Sequence, residues 1–322
     1  MVNGHRAPAV SVRGLRKSFG EQVVLDGIDL TVPEGTVFSL LGPNGAGKTT
    51  TVQILTTLIR PDAGEIQVGG HDLAAERKQV RAQIGVTGQF SAVDELLTGR
   101  ENLLLMGDLH HLSRRDNRRL AADLLERFDL VDAADKTAAT YSGGMTRRLD
   151  LAMTLVGDPR IIFLDEPTTG LDPRSRRAIW DIIRGLVDDY RVTVFLTTQY
   201  LEEADQLADR IAVLDRGELV AEGTAAELKR LVPGGHIRLE FADRAALTAA
   251  ADALGAAALP DDEENLTLAV PSDGGVRSLR AVLDRLDYEQ IEVEGLAVHT
   301  PNLDDVFLTL TGHPTTEKES VR

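Results

Sequence analysis

Eight consecutive residues carry the clearest chemical signal in the chain. They read Gly42-Pro43-Asn44-Gly45-Ala46-Gly47-Lys48-Thr49 and fit the pattern G-x-x-x-x-G-K-[ST] at every fixed position. In such a loop the glycines let backbone N–H groups approach a phosphate closely, Lys48 reaches the β- and γ-phosphates, and the Thr49 hydroxyl ligates Mg²⁺. The pattern predicts a nucleotide site, but it does not say what the nucleotide is used for.

The segments on either side of this loop suit a phosphate site. Residues 36–41 form an apolar, strand-like run, and residues 50–60 carry apolar side chains at helical spacing. A helix that begins at the loop would direct the positive end of its dipole at the phosphates. A chance glycine-rich turn would need neither neighbour, so a strand–loop–helix phosphate site is the better interpretation.

Two carboxylates, Asp165 and Glu166, follow a second apolar run, Ile161-Ile162-Phe163-Leu164. Ligands of α/β sheets bind at the carboxyl ends of the strands. There Asp165 would support Mg²⁺ beside a phosphate loop, and Glu166 could polarise an attacking water as general base. A strand followed by a plain charged turn is the alternative, but it would leave the loop at residues 42–49 without a metal partner.

Four weaker signals lie elsewhere in the chain. Ser142-Gly143-Gly144 precedes a helix-like run and could bind an anion, although most such triplets only start a helix. Gln89 and Gln199 each follow a strand directly. Gln89 could orient water or a metal ion there, although a glutamine in that place is usually a polar loop residue. Phe19 could stack on a purine base, and a half-buried position at a strand end is an equally good interpretation.

Length, charge and composition limit the kinds of protein that this chain can be. The chain has 322 residues, which suits about two domains of ~150 residues each. A formal net charge of −16 argues against broad nucleic-acid binding and against a polybasic membrane anchor. The chain has no cysteine, which excludes disulfides and thiolate sites. No apolar run is long enough for a membrane span and no signal peptide is visible, so we expect the protein to stay in the cytosol.

The best domain boundary is Pro233-Gly234-Gly235. We predict an α/β domain over residues 1–232, with a helical subdomain at about residues 90–160, and a small α+β domain of ferredoxin-like pattern over residues 235–312. The elements predicted for the small domain are strands at 236–241, 266–270 and 290–293 and helices at 244–254, 276–286 and 302–310. Asp261-Asp262-Glu263-Glu264 is expected to be a solvated loop, and residues 313–322 a disordered tail.

Taken together, the motifs resemble those of the ATP-binding subunit of an ABC transporter, over about residues 9–230. Their joint occurrence in this order is specific, although each piece alone is not. The resemblance implies an α/β fold of the P-loop NTPase type with a helical insert. The ordered parts are the phosphate loop, a Q-loop at Gln89, a signature at Tyr141-Ser142-Gly143-Gly144-Met145, a Walker B strand ending at Asp165-Glu166, and a D-loop at Gly170-Leu171-Asp172.

Two positions depart from the common pattern of that family. The signature usually reads Leu-Ser-Gly-Gly-Gln, and here Tyr141 and Met145 replace its ends. Gln199 stands where the family has a switch histidine. An amide can hydrogen-bond a γ-phosphate but cannot carry a proton or a positive charge, so hydrolysis would depend more on Glu166. Both departures resemble the daunorubicin-resistance type of actinobacterial drug exporters, which is also similar at residues 86–90, 198–205 and 302–307.

The resemblance implies ATP as ligand and Mg²⁺ as cofactor. Catalytic roles fall to Lys48, Glu166, Gln89 and Gln199, and Mg²⁺ contacts to Thr49, Gln89 and Asp165. ATP contacts are implied for Phe19, Gly42, Pro43, Asn44, Gly45, Ala46, Gly47, Lys48, Thr49, Thr50, Ser142, Gly143, Gly144, Asp165 and Asp172.

The resemblance also implies partners. Two copies would pair head to tail and sandwich two ATP molecules, with Ser142 to Gly144 of one copy closing on the ATP held by the other. A separate ABC-2-like membrane permease would hold the pair at the cytoplasmic face and pass a drug or other hydrophobic compound outward. The alternatives are a soluble ABC-type ATPase that remodels a macromolecular partner, and a P-loop kinase, which would need an acceptor site.

Overall fold

The computed structural model of the chain describes residues 8–88, 92–232, 235–255, 259–262, 266–272, 275–299 and 301–312, with only the backbone of 259–262. The contacts within the chain divide it into two compact units, Met1–Ala225 and Ala226–Arg322. None of the helices in these described ranges is both long enough and apolar enough to cross a membrane.

The first unit combines ten strands with seven helices in its described residues. The strands are β1 (Val10–Phe19), β2 (Gln22–Val32), β3 (Val37–Leu41), β4 (Ala63–Val68), β5 (His71–Asp72), β6 (Ile84–Thr87), β7 (Ile161–Asp165), β8 (Thr193–Thr198), β9 (Arg210–Asp215) and β10 (Glu218–Gly223). The helices are α1 (Lys48–Leu55), α2 (Arg77–Gln83), α3 (Gly99–Leu109), α4 (Arg114–Arg127), α5 (Gly143–Thr154), α6 (Pro173–Tyr190) and α7 (Leu201–Leu207).

A six-stranded sheet in the order β10-β9-β3-β8-β7-β6 forms the centre of this unit. All its neighbours pair in parallel except β9 and β10. Strands β3, β7 and β8 are buried along their whole length, as their apolar sequences require for parallel strands covered on both faces. Their register sets Leu41 beside Thr198 and Asp165 beside Thr197, so the residues that follow these strands emerge at one edge.

The two faces of the central sheet have different covers. Phe38, Phe163 and Phe195 point to one face, where they pack with α1 and with a four-stranded antiparallel sheet in the order β2-β1-β4-β5. Ile162 and Leu196 belong to the cluster on the other face, which includes side chains of α3 to α6. The sheet is therefore fixed from both sides, and its edge is a rigid platform for a site.

The helical segment predicted at about 90–160 contains α3, α4 and α5. Each helix begins with a side-chain cap: the Thr98 hydroxyl accepts from the Glu101 amide, Ser113 from Asp116, and Ser142 from Met145. Thr98 and Glu101 complete a capping box. These caps fix where each helix starts, including the helix that follows the Ser-Gly-Gly triplet.

Two boundaries in the first unit differ from those predicted. The helix after the phosphate loop ends at Leu55 rather than at residue 60, and Thr57 has a left-handed φ of 65°. The pair Thr56-Thr57 favours this early end, because β-branched threonine is a weak helix former. The sequence also predicts a strand over Gln83-Ile84-Gly85-Val86-Thr87, but Gln83 ends α2, and β6 starts at Ile84.

Helix α8 (Ala225–Lys229) spans the boundary, and all of it but Ala225 belongs to the second unit. The other elements of this unit are β11 (His236–Glu240), α9 (Arg244–Leu254), β12 (Leu259–Asp262), β13 (Thr267–Pro271), α10 (Val276–Tyr288), β14 (Gly295–His299) and α11 (Leu303–Thr311). The strands form an antiparallel sheet in the order β12-β13-β11-β14. From β11 to β14 the elements follow the order β-α-β-β-α-β.

Two predictions for the second unit were wrong. The last strand lies at Gly295–His299, because Ile291 and Val293, whose alternation indicated a strand, pack into the core of the unit before the strand begins. Asp261 and Asp262, expected in a solvated loop, belong to edge strand β12. Proline and aspartate are depleted in strands, so the residue types of β12 do not indicate a strand.

A buried carboxyl group joins three elements of the first unit. Glu203 on α7 is fully buried, and its Oε1 accepts hydrogen bonds from Thr168 Oγ1 at 2.8 Å and from Trp180 Nε1 at 3.1 Å. Thr168 lies in the loop after β7, and Trp180 on α6. Burial raises the pKa of Glu203, although the hydroxyl and indole donors oppose the rise.

Two substitutions of Glu203 should separate the effect of its charge on stability from the effect of its hydrogen bonds. Glu203→Leu leaves Thr168 and Trp180 without an acceptor and should lower the free energy of unfolding by roughly 2–4 kcal/mol. Glu203→Gln keeps an acceptor and removes the buried charge. Urea denaturation monitored by tryptophan fluorescence over a pH series would measure both.

The pH dependence has a definite sign. Because the pKa of Glu203 is raised above its ordinary 4.5, the folded state keeps a proton that the unfolded state has lost. The wild-type free energy of unfolding therefore carries a component that falls as pH rises from 4.5 towards the folded-state pKa. The advantage of Glu203→Gln over wild type should grow across that range and then stay constant. Glu202→Gln, at the exposed neighbouring position, is the control. A difference that is flat with pH would contradict this assignment.

Candidate nucleotide-binding site

The phosphate loop connects β3 to α1 and has the backbone that its glycines allow. Gly45 and Gly47 have φ values of 82° and 111°, in the left-handed region that favours glycine. A Cβ at Gly47 would lie 2.6 Å from Leu25 Cδ2, and one at Gly42 would collide with the Leu214 carbonyl. Any side chain at these two positions would therefore push the loop off the edge of the sheet.

Lys48 is the first residue of α1, and its side chain is only 4% exposed. Its Nζ donates to the carbonyl oxygens of Gly42 at 2.8 Å and Pro43 at 3.1 Å, and lies 3.5 Å from Glu166 Oε1. Burial lowers the pKa of Lys48, and the charges of Glu166 and Asp165 oppose that change. A partly desolvated ammonium group beside backbone N–H groups is suited to bind phosphate oxygens.

Asp165 ends β7 and meets the loop from the neighbouring strand. Its Oδ1 accepts from Thr197 Oγ1 at 2.5 Å and from Thr49 Oγ1 at 3.3 Å. A carboxylate and a hydroxyl in contact fit the donor set that Mg²⁺ takes from proteins, because that ion uses one or two carboxylates and completes its shell with phosphates and water. Thr49 and Asp165, both predicted as Mg²⁺ contacts, are therefore in direct contact.

Glu166 has an unusual backbone conformation for a non-glycine residue, with φ of 50°. Its amide donates to the Thr197 carbonyl oxygen and to Thr197 Oγ1, both at 3.1 Å, and its Oε2 accepts from Thr169 Oγ1 at 3.4 Å. Residues held in such conformations concentrate at functional sites. This turn brings the Glu166 carboxylate towards Lys48.

A cavity of about 580 Å³ extends from these groups. Phe19 ends β1 and is 52% exposed at the rim of the cavity, with Lys17 Nζ 5.2 Å from the ring centroid, a position that suits both interpretations made from the sequence. The predicted residues that line the cavity are Phe19, Asn44, Gly45, Gly47, Lys48, Thr49, Thr50, Glu166 and Gln199. A second cavity of about 640 Å³ is lined by Ile161 and Thr193, the first residues of β7 and β8, and so lies at the other ends of the strands.

Four predicted residues lie away from this cavity. Ser142 caps α5, Gly143 lies against Leu171, and Gly144 has no room for a Cβ because Ser175 Oγ would be 2.7 Å from it. Asp172 caps α6 and accepts from Ser175 Oγ at 2.6 Å, and this bond lowers the pKa of its carboxyl. The triplet and Asp172 thus form a separate surface. The predicted Gln89 lies outside the described residues.

Sequence reasoning missed Thr197, which holds both Asp165 and the Glu166 amide. One signal was available: Thr197 and Thr198 end an apolar strand, so they had to lie beside the end of another parallel strand. It also missed Thr169, whose contact with Glu166 depends on the turn at residue 166 and leaves no mark in the sequence pattern.

Comparison with known proteins identifies the family. Residues 25–169 match the family described as ABC transporter. A daunorubicin resistance ATP-binding protein of Streptomyces coeruleorubidus is 51% identical over 97% of this chain and 98% of that protein. A daunorubicin/doxorubicin resistance ATP-binding protein of Streptomyces peucetius is 47% identical over 99% and 97% of the two chains. The Nod factor export ATP-binding protein I of Ralstonia nicotianae is 38% identical over 95% and 94%.

Solved structures agree with this assignment. An ATP-binding subunit of an ABC transporter matches with a TM-score of 0.62 at 28% identity, over 69% of this chain and 92% of that chain. An ATP-binding cassette solved as a dimer in a post-hydrolysis state, with ADP and Pi, matches with a TM-score of 0.61 at 28% identity, over 67% and 98%. The predicted α/β fold and the family resemblance are confirmed. The chain therefore belongs to the ABC transporter family, as an ATP-binding protein of the daunorubicin-resistance type.

Proposed function

We propose that this chain is the ATP-hydrolysing subunit of an ABC-type exporter that drives the efflux of a drug or a similar hydrophobic compound. The observation that carries the proposal is the convergence of Lys48, Thr49, Asp165 and Glu166. Lys48, Thr49 and Glu166 line one cavity together with Gln199. Lys48 lies 3.5 Å from Glu166, and Thr49 lies 3.3 Å from Asp165. The names of the relatives support a drug of the anthracycline type as cargo.

The residues of the loop would bind and orient the triphosphate. Backbone N–H groups at the N-terminus of α1 would bind the negatively charged phosphates, and Lys48 would add a fixed positive charge. Phe19 offers a ring face for the adenine base at the rim of the cavity. Thr49 and Asp165 would hold Mg²⁺, with Gln89 as a third contact, and the ion would neutralise charge on the phosphates.

Glu166 would act as general base towards the attacking water. Its carboxylate lines the cavity beside Lys48, close to where a γ-phosphate bound by the loop would lie. Gln199 would hydrogen-bond the γ-phosphate or the water from the other side, as its amide allows. Lys48 would stabilise the charge on the phosphoryl oxygens, so that most of the catalysis is positioning and electrostatic stabilisation.

The second half of each ATP site would come from another copy of the chain. Ser142, Gly143 and Gly144 form a capped helix start away from the cavity of their own subunit, which suits them to a partner's γ-phosphate. Asp172 lies beside this surface and would couple the two sites. The dimeric cassette with ADP and Pi supports this arrangement by analogy. A separate ABC-2-like permease would place the dimer at the cytoplasmic face of the membrane.

Labelled ATP tests the activity itself. With γ-³²P-ATP and Mg²⁺, the full-length chain should release the label as inorganic phosphate. Transfer to an acceptor would instead indicate a kinase. In cells, daunorubicin accumulation should fall only when the chain is expressed together with an ABC-2-like membrane permease, and unchanged accumulation with the permease present would contradict drug export.

Glu166→Gln should stop hydrolysis and keep ATP binding, because the amide fills the same space but cannot accept the proton from water. Single-turnover phosphate release should fall by about 10²-fold or more, and ATP should hold the chain as a dimer in size-exclusion chromatography. Glu126→Gln, at an exposed position on α4, is the control and should behave as wild type. Wild-type turnover by Glu166→Gln would show that Glu166 is not the base.

Gln199→Ala should lower kcat by about tenfold while the affinity for ATP stays nearly constant, because a net loss of one hydrogen bond is worth about 1–1.5 kcal/mol. Gln199→His should recover the rate, since an imidazole restores the donor, and should add a pH dependence near its own pKa. Gln206→Ala, at an exposed position on α7, is the matched control. Steady-state kinetics from pH 6 to 9 would measure these effects, and an unchanged kcat in Gln199→Ala would exclude the role of Gln199.

A further inference from the structure

A buried ion pair lies on α5, one to two turns after the Ser-Gly-Gly triplet. Arg147 Nη1 and Asp150 Oδ2 are 3.1 Å apart, and the two side chains are 10% and 4% exposed. Taking two charges out of water is costly unless their remaining donors and acceptors are also satisfied. Among the described residues, the further hydrogen bonds of these two side chains are with backbone groups outside α5.

Arg147 contacts the loops around the hydrolytic site. Its Nε donates to the Pro167 carbonyl oxygen at 2.7 Å, and its Nη1 donates to the Gly88 carbonyl oxygen at 3.3 Å. Pro167 directly follows Glu166, and Gly88 directly precedes Gln89. The planar guanidinium therefore joins one helix to two segments that carry residues of the proposed reaction.

Asp150 extends this contact along the chain. Its Oδ1 accepts from the Ala92 amide at 3.1 Å, while its other oxygen accepts from Arg147. Gly88 and Ala92 are thus held by the same pair, on either side of residues 89–91 in sequence. The Thr154 hydroxyl, also on α5, contacts the Thr87 hydroxyl at 2.9 Å, which adds a further tie to the end of β6.

We propose that Arg147 and Asp150 are a positioning pair that sets Glu166 and the backbone at residues 88 and 92 according to the position of α5. The proposal rests on the proposed function, since it takes Glu166 as the base and the start of α5 as the part that meets a partner's ATP. A helix is stiff over three turns, so movement at Ser142 reaches Arg147 as movement of the whole helix. The start of α5 would contact the ATP held by the partner subunit. The pair thereby links that ATP to Glu166 of the subunit to which α5 belongs.

The competing explanation is that the pair only stabilises the fold. A double substitution separates the two, because replacing both members of a buried pair by apolar residues is often neutral for stability, whereas removing one member is not. Arg147→Met/Asp150→Leu should therefore stay folded and lose every contact to residues 88, 92 and 167. Arg147→Lys keeps the charge beside Asp150 but cannot form the fork to two carbonyl groups.

Arg148 provides a matched control on the same helix. Its Nη1 contacts the carbonyl oxygens of Phe128 and Asp129, each at 3.1 Å, and Asp129 Oδ2 at 2.8 Å. These contacts stay within the helical segment and reach neither Pro167 nor Gly88. Arg148→Met therefore removes an arginine of α5 without touching the loops of the site.

Kinetics of the full-length chain with ATP and Mg²⁺ test the proposal, with melting temperature and ATP affinity measured for each variant. Arg147→Met/Asp150→Leu and Arg147→Lys should both lower kcat by about tenfold or more, since a small misplacement of reacting groups costs up to 10²-fold. Their ATP dissociation constants should stay within about twofold of wild type, because the phosphate loop is untouched. Arg148→Met should keep kcat within about twofold. A folded double variant with wild-type kcat would overturn the proposal.

Mixed dimers assign the effect to one subunit. In each, one subunit carries Glu166→Gln, so that only the other subunit hydrolyses ATP. Phosphate release should fall when the double substitution is in the hydrolysing subunit, and it should stay near that of the mixed dimer without the double substitution when the change is in the Glu166→Gln subunit. The reverse pattern would mean damage to the Ser142 end and would overturn the proposal. ATP hydrolysis by the wild-type chain, and its loss in Glu166→Gln, test the proposed function independently of the Arg147–Asp150 pair.

Discussion

The buried ammonium group of Lys48 is the interaction on which the nucleotide site depends. A charge that is 4% exposed must be compensated nearby, and here two carbonyl oxygens of its own loop and the carboxylate of Glu166 do so. The loop can curl around the amine only because Gly45 and Gly47 adopt left-handed conformations. The Glu166 carboxylate can reach Lys48 because β7, which Glu166 follows, is separated from β3 in the sheet by β8 alone. One buried charge thus links the loop sequence to the order of strands in the sheet.

Sheet register provides the rest of the geometry. Phe38 pairs with Phe195 and Phe195 with Phe163, and their ring centroids lie 5.4 and 5.5 Å apart on one face of the sheet. A slip of one residue would move these rings to the opposite face. It would also separate Asp165 from Thr197, which it contacts through Oδ1. Core packing therefore fixes the position of the Asp165 carboxylate, which is proposed to hold Mg²⁺, and, through Thr197, that of the Glu166 amide.

The sequence pattern predicted what is local and missed what depends on contacts across the fold. The phosphate loop, the apolar strands and the residues at their ends follow from short-range patterns, so Lys48, Thr49, Glu166 and Gln199 could be placed together in advance. Thr197 and Arg147 act on backbone groups brought near by the fold, and a threonine or arginine in such a place carries no distinctive pattern. The same reason explains the misplaced last strand: Ile291 alternates like a strand residue yet packs into the core ahead of β14.

The backbone on either side of the Glu166 side chain is fixed by hydrogen bonds. This matters because the chain has Gln199 where the family has a switch histidine. A non-glycine residue in the left-handed region costs on the order of 1 kcal/mol or more, so its neighbours must impose that conformation. The Thr197 oxygens bind the Glu166 amide, and Arg147 binds the Pro167 carbonyl that follows. Gln199 cannot take up a proton, so in the proposed reaction the proton of the attacking water can go only to Glu166 among the groups that line this cavity. A base without a second acceptor has to be placed accurately, and the contacts to residues 166 and 167 supply that placement.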